Sequence, residues 1–273
     1  MTSELSQARV GNSEYAAAYF VATDQSRDNQ PIYGFMGAVT DGEQAVKMIS
    51  WFDDPQEYQE VWLNIFNSIR LIETESLAPE SPESQEPPST VSVIHLQADG
   101  SGDYVSLPEA VTAAPAGATI NLGPGTFRLE EPLVIEKAVH LKGAGMDLTE
   151  IEADAGEFVV WFSGEGPFFS EDITYRHAGA QTADVVVATE GEVTFERSRF
   201  AGAVFDSETS EGGKGLFLIN TTAVVRECTA VNNELAGIQV DTDNTSDLAT
   251  IEKNILNDNP AGVGVVFVGH AQG

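Results

Sequence analysis

The chain has 273 residues, 42% of them hydrophobic, with 43 Asp and Glu against 13 Lys and Arg and a formal net charge of -30. That length holds ample core for one large or two ordinary domains, and the acidity excludes nucleic acid and anionic lipid, which are bound through basic patches. The lone cysteine, Cys228, excludes an intrachain disulfide framework, and no apolar run reaches the roughly 18 residues of a membrane span.

The first residues, MTSELSQARVGNSEY, are neither basic nor followed by an apolar stretch, so no secretory signal is visible. Residues 1–72 read as a small α+β unit. Tyr19 to Ala22, Ile32 to Val39 and Ala45 to Phe52 are strands by content, and Thr40-Asp41-Gly42 joins the last two as a hairpin turn. A helix is expected next. Asp54 is its N-cap, Pro55 its first residue, and Tyr58, Val61, Trp62, Ile65, Phe66 and Ile69 recur at helical spacing. A strand ending in aromatics, then a helix closing on Ser68-Ile69-Arg70-Leu71, resembles the C-terminal half of a PsbP-like domain. Three strands and one helix make a thin layer pair, so this unit is expected to be incomplete or to pack on something else.

Residues 73–92 lose all periodicity. They are rich in Glu and Pro without a basic side chain, which predicts a solvated, self-repelling linker. Beyond it come a Gly-rich turn at Asp99 to Asp103, a helix at Leu107 to Ala114, and strands at Ala118 to Leu122, Leu133 to Ile135 and Val139 to Leu141. The turns Gly123-Pro124-Gly125 and Lys142-Gly143-Ala144-Gly145 punctuate those strands.

The remainder repeats. An apolar residue is followed three positions later by a small polar one at Phe169/Asp172, Phe195/Ser198, Val225/Cys228 and Ile251/Asn254, and these anchors are 26, 30 and 26 residues apart. A period of that size, with strands throughout and no second helix, predicts stacked coils, each covering the face of the one before. The polar member is expected at a bend, where it satisfies backbone groups buried by the turn. Inward positions follow: Val139, Leu141, Phe169, Val193, Phe195, Phe200, Val225, Ile238, Val240, Ile251, Val263 and Val265.

Helix first and then strands only, in the order DGSGDY turn, EAV..AP helix, ATI strand, PGTF turn and L.G.G turn, resembles the opening coil of the right-handed parallel β-helix of pectin lyase-like proteins. Pectinesterases show this order at nearly this spacing. Asp172 to Gly179 is similar to that family's DITF.NTAG, and Asn220 to Cys228 to its GNA.VV...C strand. The resemblance puts the family's QAVAL strand on Asp184 to Ala188, with Asp184 replacing its Gln. Its QDT turn falls near Val204 to Ser207, where Asp206 alone stands for the acid/base carboxylate. Its DF.FG strand falls on Gly215 to Ile219, which puts a glycine where the nucleophile belongs. Ester hydrolysis by a carboxylate pair needs one oxygen to attack and a second carboxyl to move the proton, and glycine does neither. The family's GRPW arginine has no counterpart. If the alignment slips, Asp184, Glu208 and Glu211 are the nearest replacements.

Residues 91–273 carry 28 acids and nine bases, so they repel polygalacturonate unless cations bridge the two, whereas a neutral polysaccharide is not repelled. A lyase would need a basic residue beside a calcium-binding cluster. Arg176, Arg197, Arg199 and Arg226 are the cations available, and they read more simply as partners of Glu171, Glu196 and Glu227. Asp241, Asp243 and Asp247, with Glu252 at the twelfth position, have oxygen ligands at the offsets of a Ca2+ loop, but the sixth position is Ser246 and helices are missing, which favours an ordinary polar turn. The histidines, His95, His140, His177 and His270, have no zinc spacing. Tyr175, Arg176 and His177, joined by Arg199, are the candidate ligand-binding residues.

The expected architecture is thus mainly β: a small α+β unit, an acidic linker over 73–92, and a right-handed parallel β-helix over 93–273. The expected function is that of a non-catalytic module, glycan-binding or a rigid spacer, within a larger surface or secreted protein and without a cofactor. The alternative is a diverged carbohydrate-active enzyme, an esterase using Asp206 or a lyase using an arginine.

Overall fold

In the computed structural model, the described residues are strands within 5–52, then 92–164, 166–242, 249–261 and 264–269. The expected helix after Asp54, the linker from 73, the Asp41-Gly42 turn, Val263 and His270 lie outside them.

Four strands come first: β1 Leu5–Val10, β2 Ser13–Asp24, β3 Gln30–Thr40 and β4 Ala45–Phe52, an antiparallel meander. β5, Val93–Leu96, and helix α1, Leu107–Ala113, open the second part. α1 starts where Ser106 accepts a hydrogen bond from the Glu109 amide and Pro108 occupies the first turn, and it buries Leu107, Ala110 and Val111. The chain then winds through six coils of three strands. They are β6 Ala118–Leu122, β7 Gly125–Leu129 and β8 Leu133–Ile135; β9 Val139–Lys142, β10 Thr149–Ala153 and β11 Glu157–Phe162; and β12 Phe168–Glu171, β13 Thr174–His177 and β14 Ala183–Thr189. The fourth coil carries β15 Glu192–Glu196 and β16 Arg199–Ala201, then a small hairpin, β17 Phe205–Asp206 and β18 Glu211–Gly212, before β19 Lys214–Ile219. The last two are β20 Thr222–Arg226, β21 Thr229–Val231 and β22 Ala236–Thr242, then β23 Ala249–Glu252, β24 Ile255–Asn257 and β25 Val265–Gly269.

Strands of successive coils pair in parallel, giving three sheets along the axis. Sheet I is β5-β6-β9-β12-β15-β20-β23, sheet II is β7-β10-β13-β16-β21-β24, and sheet III runs β8-β11-β14-β19-β22-β25 and on through β4 to β1. The expected parallel β-helix is therefore present. The meander is joined to it, because β4 pairs in parallel with β25. The 30-residue period also has its cause: the four residues beyond 26 belong to the hairpin inserted between β16 and β19.

The interior is one continuous apolar column. Val139, Leu141, Val193, Phe195, Phe200, Val225, Ile238, Val240, Ile251 and Val265 are all buried in it, as their period required. Phe195 sits over Val225, and Val225 over Ile251. Phe169 is a correction. It lies on the outer face of sheet I, 40% exposed, and the inward positions of its strand are Phe168 and Ser170, with Ser170 in register with Phe195. The reason is the bend. Asp172, Arg197, Glu227 and Lys253 all take positive φ, 63°, 44°, 55° and 56°, so Asp172 matches Arg197 and not Ser198. The residue after each bend points inward, and in this coil it is Ile173. Ser170 finds its partner inside, the Tyr175 hydroxyl at 2.7 Å.

Where the inward residue at the bend is polar it does satisfy buried backbone. The Asn254 amide donates to the Val225 carbonyl at 2.8 Å and accepts from the Cys228 amide at 2.8 Å, and Ser198 Oγ donates to the Glu196 carbonyl at 2.9 Å. A second ladder, absent from the sequence reading, holds the corner between sheets II and III. Asn233 Nδ2 donates to the Phe200 carbonyl and Asn259 Nδ2 to the Ala230 carbonyl, both at 3.1 Å.

Truncating a filled column costs transfer energy plus a cavity, so Phe195→Ala should destabilise by about 3–5 kcal/mol. Phe169→Ala should stay within about 0.5 kcal/mol, as for a surface change. Chemical denaturation midpoints check both, and a large loss at Phe169 would contradict its outward register.

Candidate functional site

Alternate residues of sheet I face outward and form two unbroken files. One file is Val93, Thr119, His140, Phe169, Thr194, Val224 and Thr250, and the other is His95, Asn121, Lys142, Glu171, Glu196, Arg226 and Glu252. Parallel pairing sets neighbours about 4.8 Å apart along each file. In the first file the Phe169 ring meets the His140 ring edge-on, with centroids 5.5 Å apart. In the second, Lys142 and Arg226 flank the adjacent Glu171 and Glu196, and Arg197 at the bend bridges the two carboxylates. Glu171 takes Lys142 Nζ at 2.9 Å, His140 Nε2 at 3.1 Å and the Arg197 guanidinium, while Glu196 is held by Arg197 at 3.0 Å and by Arg226. Hydrogen bonding from His140, helped by Lys142 and opposed by burial, holds the Glu171 carboxyl well down, at about 2.

The sequence candidates on β13 are separated by the strand's alternation. Tyr175 is fully buried, stacked on Phe200 with ring centroids 6.0 Å apart, and its phenol is pushed up by burial. Tyr175 is thus out of reach of a surface ligand. His177 is also buried. Its Nδ1 lies 3.2 Å from the Gly202 carbonyl oxygen, and Nε2 has no hydrogen-bond partner. Arg176 faces out and pairs with Glu150 at 2.9 Å and with Glu152, whose carboxylate is shared with Arg128. Arg199 reaches Asp147 at 2.8 Å. The arginines thus pair across coils; the sequence foresaw pairing but named other carboxylates for Arg176 and Arg199.

Asp206 lies on the hairpin, where its carboxylate accepts from the Glu208 amide at 2.8 Å and its partner across the two strands is Glu211. Among the described residues no ion pair reaches either carboxylate, so no cation is placed to orient one of them. Gly215 stands in β19 beneath Asn233. A Cβ there would lie 2.5 Å from Asn233 Nδ2 and 2.7 Å from the Gly237 carbonyl oxygen, so a side chain of any kind is excluded.

Sequence reasoning missed Lys214. It is buried next to Gly215, its Nζ 3.4 Å from both Asp184 carboxylate oxygens, 3.1 Å from the Gly212 carbonyl oxygen and 4.6 Å from the centre of the Phe217 ring. The tighter bond is from the Lys214 backbone amide to Asp184 Oδ1, at 2.8 Å. Burial pushes the Asp184 carboxyl up and Lys214 pulls it back. The available signal was a lone lysine 30 residues after a lone aspartate, one coil apart in the longest period.

Of the calcium candidates, Asp241 is described, accepting from Gln239 Nε2 at 3.0 Å, whereas Asp243 and Asp247 lie outside the described residues. Among the described residues no group of three or more His, Cys, Asp or Glu could hold a metal ion.

Two predictions follow from these charges. The folded Glu171 pKa lies below its ordinary 4.5, so its pairing adds stability that is complete above that value and lost as pH falls toward about 2. Glu171→Gln should therefore flatten stability against pH across that window, measured by acid titration of denaturation midpoints. At the buried pair, Lys214→Met leaves the Asp184 charge uncompensated and should cost about 3–5 kcal/mol. The double change with Asp184→Asn should recover much of that loss, and equal losses in single and double variants would deny the pairing.

No known protein family matches the chain, and no curated protein matches it.

Proposed function

We propose that this chain is a non-catalytic β-helix module that binds a neutral or cation-bridged polysaccharide along the outer face of sheet I, within a larger surface or secreted protein. The supporting observation is the exposed Phe169 ring, set edge-on to His140 in a file otherwise made of Thr and Val. An aromatic face fixed on a rigid sheet offers apolar contact to a sugar ring, and the flanking threonine hydroxyls offer hydrogen bonds. Files with a regular repeat suit a ligand that is itself a regular repeat. The net charge of the β-helical part favours an uncharged chain, or an acidic one bridged by cations.

The resemblance to pectinesterases and other pectin lyase-like proteins supports a carbohydrate ligand. Their chemistry does not carry over. At the position of the nucleophile, Gly215 has no room for a carboxylate, and Asp184, in place of the Gln, is committed to Lys214. The enzymatic alternative rests on Asp206 facing Glu211 across the hairpin. Two carboxylates without an orienting cation make a poor nucleophile and acid pair.

Affinity electrophoresis through gels cast with neutral polysaccharides tests the reading. The chain should be retarded, Phe169→Ala should migrate at least several-fold closer to the unretarded position, and Asp206→Ala should behave as the parent. Equal retardation of the parent and Phe169→Ala would remove the binding face. Methanol release from methylated pectin that disappears in Asp206→Ala would establish the esterase instead.

A further inference from the structure

A parallel β-helix ends in strands with unpaired N–H and C=O groups, which are templates for another strand. At the far end of sheet III the template is occupied. β25 holds β4 in parallel over five residues, from Val265 opposite Met48 to Gly269 opposite Phe52. The bonding pattern is the one each coil makes with the next, but the donor comes from the opposite end of the chain.

The connection matters. β4 sits on the last coil and the next described strand, β5, pairs with β6 at the first coil. The two ends of the β-helix are five or six strand spacings apart, roughly 25–30 Å at about 4.8 Å each. Residues 53–91 join them, and the linker stretch 73–91 alone, at about 3.1 Å per residue for extended chain, has a reach of roughly 60 Å. Even without the expected helix, the tether is therefore about twice as long as the path it must cover. A strand added through backbone bonds, on a tether that long, meets its own acceptor and a neighbour's with contacts that are identical, and only effective concentration separates the two.

We propose that the edge of β25 that receives β4 is a strand-acceptor site whose partner is a second copy of this chain: β4 and its meander fill the site within one chain when dilute and are exchanged between two chains when concentrated. The exchanged form is a closed pair with both acceptors filled, so it stops at two. Within the tether, residues 73–91 carry five Glu and no basic residue, a composition repelled by the acidic β-helices of both chains alike.

Cross-linking between two singly substituted full-length chains tests this. Val266 lies opposite Ile49 in the pairing, so one chain carries Ile49→Cys and the other Val266→Cys. Cys228 stays silent toward a bis-maleimide because it is buried and its thiol is pushed up to about 12. Chains unfolded together and refolded at high concentration should give a cross-linked dimer at least tenfold more abundant than after refolding at high dilution. Two prolines placed in β4, Ser50→Pro/Trp51→Pro, should remove it, because amides of successive residues point to opposite sides of a strand and one of the two leaves the β4–β25 ladder. The double variant Ile49→Cys/Val266→Cys serves as the check that the strands meet, cross-linking within one chain at high dilution. A double variant that cross-links while the mixture never does would overturn the exchange. So would a mixed dimer that persists with Ser50→Pro/Trp51→Pro, or an Ile49→Cys/Val266→Cys variant that fails to cross-link.

Discussion

Each coil must return to the register of the coil beneath it, and the rest of the molecule follows from that requirement. Parallel pairing leaves no freedom of one residue, because a single step moves every inward side chain outward. The inward file of Phe195, Val225 and Ile251, the outward file through Phe169, and the charged file through Glu171, Glu196 and Arg226 are consequences of one alignment repeated six times. What enforces it is found at the bends. Positive φ at Arg197, Glu227 and Lys253 costs each of these residues about 1–2 kcal/mol. The strain persists because the next inward residue is locked by hydrogen bonds to the neighbouring coil, as where the Cys228 amide donates to the Asn254 side-chain oxygen.

This constraint decides what was legible in the sequence. The period, the opening helix and the interior positions at Phe195, Val225 and Ile251 could be read directly, since apolar residues recur where the coil needs them. Phe169 misled because its strand has two adjacent phenylalanines, Phe168 and Phe169, and a serine inside. An apolar pattern cannot choose between adjacent phenylalanines when the neighbouring inward place is polar. Ser170 is tolerated there only because the Tyr175 hydroxyl meets it, and Tyr175 in turn looked like a surface ligand because buried tyrosines with a partner have no distinguishing sequence. The strand Gly125–Leu129 was hidden by its turn residues, Gly123-Pro124-Gly125, which announce the bend and mask the strand that starts on its last glycine.

The site was less legible than the fold for a related reason. Chemistry in a solenoid is assembled across coils, between residues about 25 to 30 positions apart, and only the register tells which ones meet. Lys214 and Asp184 look unrelated in the chain, yet they adjoin once β19 lies on β14. Arg176 pairs as its charge required, but with Glu150 and Glu152 of the preceding coil, partners that only the register identifies. Outward charges on a stacked sheet are driven to find partners one coil away, so a charged residue here is a poor indicator of a free functional group.

That reasoning places the burden of recognition on the uncharged file. Cross-coil pairing consumes the arginines and much of the acid around them, so the charge left over is predominantly negative and diffuse. Such a surface keeps chains apart and repels polyanions, but it gives no local geometry for a specific contact. The file from Thr119 to Thr250 is the reverse. It contains no Asp, Glu, Lys or Arg, it repeats at the spacing of the sheet, and it holds one large exposed ring at Phe169. A ligand that contacts several of its residues gains from rigidity, because the side chains are short or ring-locked and lose little freedom on binding. Rigid, repeated and mostly uncharged contacts favour an extended partner whose own groups repeat.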